Sequence, residues 1–358
     1  MSCPFKTLAV LLAFALCFAL CFAAPYARGG PCQLPAVPDA FDSADGSEKN
    51  ASWKDSADSN GCFRSAENDR SLAVARCDVP ALEVAARQGQ ADAQNRLGLF
   101  SALVPGKGND LGKARQWFEK AARHGYAPAQ VNLAVIYING WGTAQNYGAA
   151  LHWLTAAAKQ GYPRANADLG ILYMNGSGVR RDYAEAHKYL ELAANAGDSV
   201  AQSSLGYLYD GGFGVAQDYT QAAHWYRLAA ESGYALGQHN LAVMFFRGQG
   251  VRQSYQKALY WFEKAAQQGH TAARIDFGFL LMNGLGTAKD PVAAYAWILA
   301  ASNAGDHHGD DYLSALRTTL DQQKLEQATQ QAQSLNGATF PAGVLLLWPE
   351  TRATPALY

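Results

Sequence analysis

Apolar positions recur along this chain with a helical period, and the whole pattern returns every 36 residues. Alanine stands at Ala114, Ala150, Ala186, Ala222, Ala258 and Ala294. Three residues later comes a large aromatic ring, at Trp117, Trp153, Tyr189, Trp225, Trp261 and Trp297, and four beyond that alanine again, from Ala121 through Ala157 to Ala301. Offsets of three, four and seven trace one face of an α-helix. In the first half of each unit Ala129, Leu133 and Tyr137 are matched by Ala165, Leu169 and Tyr173 and by Ala201, Leu205 and Tyr209, again at helical spacing. Each unit is therefore predicted to hold two amphipathic helices, A over about Ala127–Asn139 and B over about Tyr147–Gln160.

Glycines punctuate the pairs. Gly89, Gly125, Gly161, Gly197, Gly233, Gly269 and Gly305 follow the B helices, where the chain turns left-handed and a Cβ would clash. Gly140 and Gly142, with their equivalents up to Gly284 and Gly286, mark a longer turn between A and B. Asp182, Asp218 and Asp290 stand where the N-cap of helix B would accept backbone N–H groups. Strict self-similarity of this kind is the mark of a stacked array in which each unit covers its neighbour's apolar face. The tryptophan column, filled six times in the same way, is expected to form the core.

From Ala201 to Gly233 the chain reads Ala-Gln-x-x-Leu-Gly-x-x-Tyr-x-x-Gly-x-Gly-Val-x-x-Asp-Tyr-x-x-Ala-x-x-Trp-x-x-x-Ala-Ala-x-x-Gly. That pattern resembles the Sel1-like repeats, relatives of the tetratricopeptide repeats with a longer inter-helix turn. The resemblance covers Gly89 to Gly305 and is weakest in the first unit, where Ser101, Val104 and Pro105 replace the expected tyrosine and turn residues. It implies an all-α fold, an α/α solenoid of six helix-turn-helix repeats with helical caps at both ends. It also implies an adaptor for protein partners, as such proteins serve in signalling, secretion, envelope polysaccharide assembly and host contact. Two other functions are carried alongside. One is a small-ligand binder or weak hydrolase like the secreted cysteine-rich, β-lactam-binding branch of the family, which has a cysteine pair in each repeat where this chain has none. The other is a periplasmic neutraliser of a toxic effector.

The ends of the chain read differently. Lys6 precedes an uninterrupted apolar run, Leu8–Ala24, so residues 1–24 are expected to be a signal peptide and the mature chain periplasmic or secreted, with a membrane contact only if this leader is retained. Residues 25–70, rich in proline, serine and aspartate, read as a polar linker, and 71–88 as an isolated B-type helix capping the array. The repeats then span 89–304, two capping helices 305–336 and an apolar tail 337–358. Removal of the leader leaves Cys32, Cys62 and Cys77, in a compartment where disulfides persist. Cys62 with Cys77 is the preferred pair and Cys32 with Cys62 the competitor.

Chemistry is sparse. A balance of 29 basic and 30 acidic residues without a basic cluster argues against nucleic acid as a partner. His307, His308, Asp310 and Asp311 are metal-ligand residue types, but His307 and Asp311 one helical turn apart make two ligands and no site. His152 and His224 share an outward column, and Gly176-x-Gly178 lacks the flanking strand and Gly-Lys-Thr of a phosphate loop. No catalytic residue, metal site or cofactor is expected. Partner choice must rest on the columns that vary. These are the turn tips, with Trp141 and Phe213, the arginines just after them, Arg180, Arg181 and Arg252, and helix A positions such as His239, Asn132, Asp168, Ser204, Asn240 and Asp276, expected on the inner surface beside Val131 and Ile275.

Overall fold

The computed structural model describes residues 79–103 and 110–337, and among these every element is helical. α1 (Val79–Arg87) leads into six pairs. They are α2 (Ala91–Leu103) with α3 (Leu111–Arg123), α4 (Ala127–Asn139) with α5 (Tyr147–Lys159), α6 (Pro163–Asn175) with α7 (Tyr183–Asn195), α8 (Ser199–Gly211) with α9 (Tyr219–Glu231), α10 (Ala235–Arg247) with α11 (Tyr255–Gln267), and α12 (Thr271–Asn283) with α13 (Pro291–Asn303). α14 (Asp310–Arg317) and α15 (Gln322–Gly337) follow. The leader, the linker with Cys32 and Cys62, residues Ser71–Asp78 with Cys77, Val104, Pro105 and the tail beyond Gly337 lie outside the described residues.

Local chemistry sets the ends of the helices. The Asp182 carboxylate accepts from the backbone N–H groups of Ala184 and Glu185, both at 3.0 Å, Asp218 does the same for α9, and Asp290 accepts from Ala293 N–H (2.9 Å) for α13. Each such cap is worth about 1 kcal/mol. Helix A stops at a left-handed glycine, as at Gly176 (φ 71°), whose N–H returns to the Leu172 carbonyl. The second turn glycine has another duty. A Cβ on Gly250 (φ 66°) would strike the backbone of Tyr219 and Thr220, so the turn of one repeat seats directly on the first residues of the preceding B helix.

The core is displaced by one residue from the expected tryptophan column. Trp117, Trp153, Trp225 and Trp261 are only half-buried, whereas the next residues, Phe118, Leu154, Leu190, Tyr226, Phe262 and Ile298, are at most 2% exposed. One residue is about 100° of helix rotation. It is the later position that points into helix A, at the centre of the stripe formed with Ala114, Ala121 and Ala122. Glycine on helix A makes room for it. A Cβ at Gly98, Gly170, Gly206 or Gly278 would overlap Phe118, Leu190, Tyr226 or Ile298.

The repeats are stitched together by a buried amide. Gln130 donates to the Ala122 carbonyl at the end of the preceding B helix (3.2 Å), and Gln94, Gln202 and Gln238 do likewise. Each bond brings a second donor to a helix-end carbonyl that already accepts from the N–H of the following glycine, as Ala122 does from Gly125 (3.0 Å). In the last repeat Arg274 replaces glutamine. Its guanidinium reaches the carbonyls of Ala266 (3.2 Å), Ala300 (3.3 Å) and Leu335 (3.3 Å), joining the C-terminal ends of α11, α13 and α15. Three helix dipoles converge on one cation. Helix α8 also touches α6 and α10, its counterparts in the adjacent repeats, so the A helices form the close-set inner row of the array.

Candidate partner-binding surface

The residues singled out from the sequence do not gather into one site. Trp141, on the turn of the second repeat, is half-buried against that repeat's core. Arg180, Arg181 and Arg252 are exposed on the third and fifth turns. Phe213 folds back between Tyr183 and Tyr207, with ring centroids 5.2 and 5.1 Å away, and the Arg181 guanidinium lies 5.4 Å from the Tyr183 ring. Arg181 and Phe213 therefore meet on one tyrosine, while Trp141 and Arg252 belong to other repeats.

His239 sits on the inner row. Its Nε2 lies 2.9 Å from Asp276 Oδ2, its Nδ1 3.3 Å from Asn240 Oδ1, and its ring stacks on His270 at 4.8 Å. Enclosure together with the nearby His239 lowers the His270 pKa to about 3, so His270 is neutral and its Nδ1 accepts from Ala273 N at the start of α12. The Asn132 amide donates to Asn95 across the first repeat boundary in the same manner (2.9 Å). Of the positions expected to line this surface, Asn132, Ser204, Asn240 and Asp276 are half-buried, but Val131 and Ile275 are buried and Asp168 is fully buried. Asp168 is turned inward because Arg164, one helical turn earlier, pairs with it (3.1 Å). Burial raises its pKa to about 6 against the attraction of Arg164.

The repeat is its own control, because a side chain that departs from its column is answering a demand the other units do not share. Such departures concentrate in the fourth repeat. Where other repeats carry Ala102, Ile138, Met174, Phe246 and Met282, the fourth carries Asp210. Where they carry Leu99, Val135, Ile171, Val243 and Phe279 it has Tyr207, and among Phe118, Leu154, Leu190, Phe262 and Ile298 its Tyr226 alone brings a polar atom. Asp210 is half-buried, and its carboxylate makes no ion pair or hydrogen bond among the described residues. Burial raises its pKa, opposed by the charge of Arg247 on α10. The Tyr226 ring lies over Gly206, one turn before Asp210, and its buried hydroxyl has no hydrogen-bond partner among the described residues. Burial and the neighbouring Asp210 and Tyr207 push the Tyr226 pKa well up.

These departures were present in the sequence as breaks in columns, but those columns were not among the positions singled out there. The histidine and aspartate group at the C-terminal cap resolves into local pairs, His307 with Asp310 (3.1 Å) and His308 with Asp306 (2.7 Å). Among the described residues no group of three side chains is placed to hold a metal, and no helix is long and apolar enough to cross a membrane.

The Sel1 repeat family model matches residues 91–126, 127–162, 163–198, 199–234, 235–270 and 273–306. The chain belongs to the Sel1 repeat family. A Sel1 repeat protein from Oxalobacter formigenes shares 30% identity over 65% of this chain and 96% of its own, with a TM-score of 0.58. The protective antigen c5321 of uropathogenic Escherichia coli strains shares 27% over 76% and 65% (TM-score 0.47). An immunity protein of Pseudomonas aeruginosa shares 23% over 71% and 86% (TM-score 0.44). No curated protein matches the chain. Sel1 repeats are in general scaffolds for protein interaction, and that much applies to this array.

Proposed function

We propose that this chain is an exported adaptor that holds an extended segment of a partner protein along the inner row of its A helices, centred on the fourth repeat. Export rests on the charged start and apolar run Leu8–Ala24. The observation that carries the binding reading is the coincidence of Tyr207, Asp210 and Tyr226. Three of the array's apolar columns are broken in one repeat, and among the new polar groups the half-buried Asp210 carboxylate makes no ion pair or hydrogen bond among the described residues. Partly desolvated groups of this kind are costly alone and contribute when a partner pairs them. Aromatic residues beside them offer rigid contact area.

Photo-crosslinking in the cells that make the protein tests this reading. A benzophenone amino acid replacing Arg247, on the inner row, is expected to trap one discrete protein. The same probe replacing Tyr260, an exposed residue of helix B, is expected to trap none. Equal labelling from both positions, or labelling from Tyr260 alone, would sink the proposal.

A further inference from the structure

We infer that the cleft between the C-terminal ends of α1 and α3 binds a hydroxylated phosphate monoester, with the size and chemistry of a sugar phosphate. The site shares no residue with the fourth repeat, so its occupancy is independent of the adaptor reading. The cleft encloses about 440 Å³, within the range of roughly 300–1,000 Å³ usual for small-molecule sites. Arg87, Gln94, Trp117, Lys120, Arg123 and His124 line it, and no acidic side chain among the described residues does. The Lys120 ammonium is held over the Trp117 indole, 4.2 Å from the ring centroid. Arg87 is paired with Glu83 (2.9 Å), whereas Lys120 and Arg123 make no ion pair among the described residues. One cation suits the carbonyl end of a helix dipole. The later B helices carry at most one in the last turn, Lys159 in α5 and Lys264 in α11, but α3 carries Lys120 and Arg123, and α1 adds Arg87 beside them.

The neighbouring repeats show what the first one lacks. In the second and fifth repeats the exposed residue after helix B is glutamine, and it reaches back to the buried amide of its own repeat. Gln160 donates to Gln130 Oε1 (2.9 Å) and Gln268 to Gln238 Oε1 (2.7 Å). In the first repeat His124 takes that place without making the bond, and Gln94 Oε1 is buried with no hydrogen-bond partner among the described residues. Gln94 is 4% exposed, so the missing donor is missing at the floor of the cleft. Ser232 leaves Gln202 in the same condition in the fourth repeat, but Leu228 and Glu231 stand there in place of Lys120 and Arg123. Only the first repeat therefore joins an unanswered acceptor to a set of cations. A ligand that meets both carries concentrated negative charge and, next to it, an uncharged donor. A phosphate monoester brings close to two charges, which a guanidinium grips in a fork and an ammonium meets as a point charge. A neighbouring hydroxyl supplies the donor for Gln94. A carboxylate offers a single charge to three cations, and inorganic phosphate has no hydroxylated body to extend to the amide.

The full-length protein labelled with fluorotryptophan and titrated with glucosyl phosphate provides the test, the Trp117 fluorine signal being assigned through Trp117→Phe. A saturable shift of that signal is expected. Affinity should be at least tenfold weaker for cyclohexyl phosphate, which keeps the charge and the ring but lacks the hydroxyls, and at least tenfold weaker when Lys120→Ala and Arg123→Ala are combined. His124→Gln keeps all three cations and supplies the donor found in the second and fifth repeats. It should abolish the preference for glucosyl over cyclohexyl phosphate, at a melting temperature equal to or above that of the parent. The assignment is overturned if no saturable shift occurs, if cyclohexyl or inorganic phosphate binds the parent as tightly as glucosyl phosphate, or if the double variant binds like the parent. A His124→Gln variant that keeps the preference would place the hydroxyl contact away from Gln94 and overturn it as well.

Discussion

The third and fourth repeats share helix lengths, caps and turn glycines, yet they treat their inner face in opposite ways. In the third repeat Ile171 and Met174 are 3% and 8% exposed, Leu190 is fully buried, and the surface is sealed with apolar atoms. The same three positions in the fourth repeat hold Tyr207, Asp210 and Tyr226. The third repeat instead keeps its charge beneath the surface, as the Arg164–Asp168 pair, where the fourth has Val200 and Ser204. Fixed columns therefore report what stacking demands, and an array of near-identical units isolates function as the residue that fails to repeat.

Breaking the shared framework should have the largest effect. Phe262→Ala empties the fully buried position and is expected to cost about 3–5 kcal/mol in urea unfolding. Trp261→Ala, next to it but half-buried, should cost less than half as much. If the tryptophan variant is the more damaged of the two, the core has been placed on the wrong column.

The buried charge of the third repeat gives a pH signature. Asp168 carries a folded pKa of about 6 against an ordinary 3.8, so the folded state holds its proton longer than the unfolded chain does. Stability at this site is greatest when the carboxyl is protonated and falls as pH rises from about 4 to 6, by about 3 kcal/mol in all. Exchanging the pair for its fourth-repeat counterparts, Arg164→Val with Asp168→Ser, should abolish that slope in the variant, so that the difference between parent and variant carries it. It should leave stability at pH 7 unchanged or higher, since buried ion pairs are often no better than an apolar replacement. A slope that survives the exchange would place the raised pKa elsewhere.

Within the fourth repeat, Tyr226→Phe deletes a buried hydroxyl that has no partner and is expected to stabilise the chain by about 1–3 kcal/mol. A loss of stability would mean that the hydroxyl is satisfied in the free protein. The smallest change is at a cap. Asp218→Ala should cost about 1 kcal/mol in thermal unfolding, through loss of the bonds to Thr220 and Gln221. Comparison with Asp182→Ala in the third repeat should give a similar value, because the two caps have the same geometry.

Much of this architecture was legible before any coordinates. The helices fall where spacing of three and four put them, and Asp182, Asp218 and Asp290 cap as their place before an apolar run requires. What periodicity could not supply was the direction in which the stripe points. Trp117 and Phe118, about 100° apart on a helical wheel, both border the alanine stripe, and the position of the facing glycine Gly98 shows which one enters the core. Nor could spacing show that Asp168 turns inward, because that depends on Arg164 being present to pair with it. Phe213 was visible as a departure at a turn tip. Its contact with Tyr207 and with Tyr183 of the preceding repeat depends on how each turn seats on its neighbour, and that became clear only with the helices packed.

The most direct test makes the fourth repeat a copy of the third at the disputed positions, through Tyr207→Ile, Asp210→Met and Tyr226→Leu together. Binding of the partner trapped by the Arg247 probe is then measured beside thermal stability. The account predicts a folded protein, no less stable than the parent, that has lost the partner. A stable triple variant that binds the partner as tightly as the parent would contradict it.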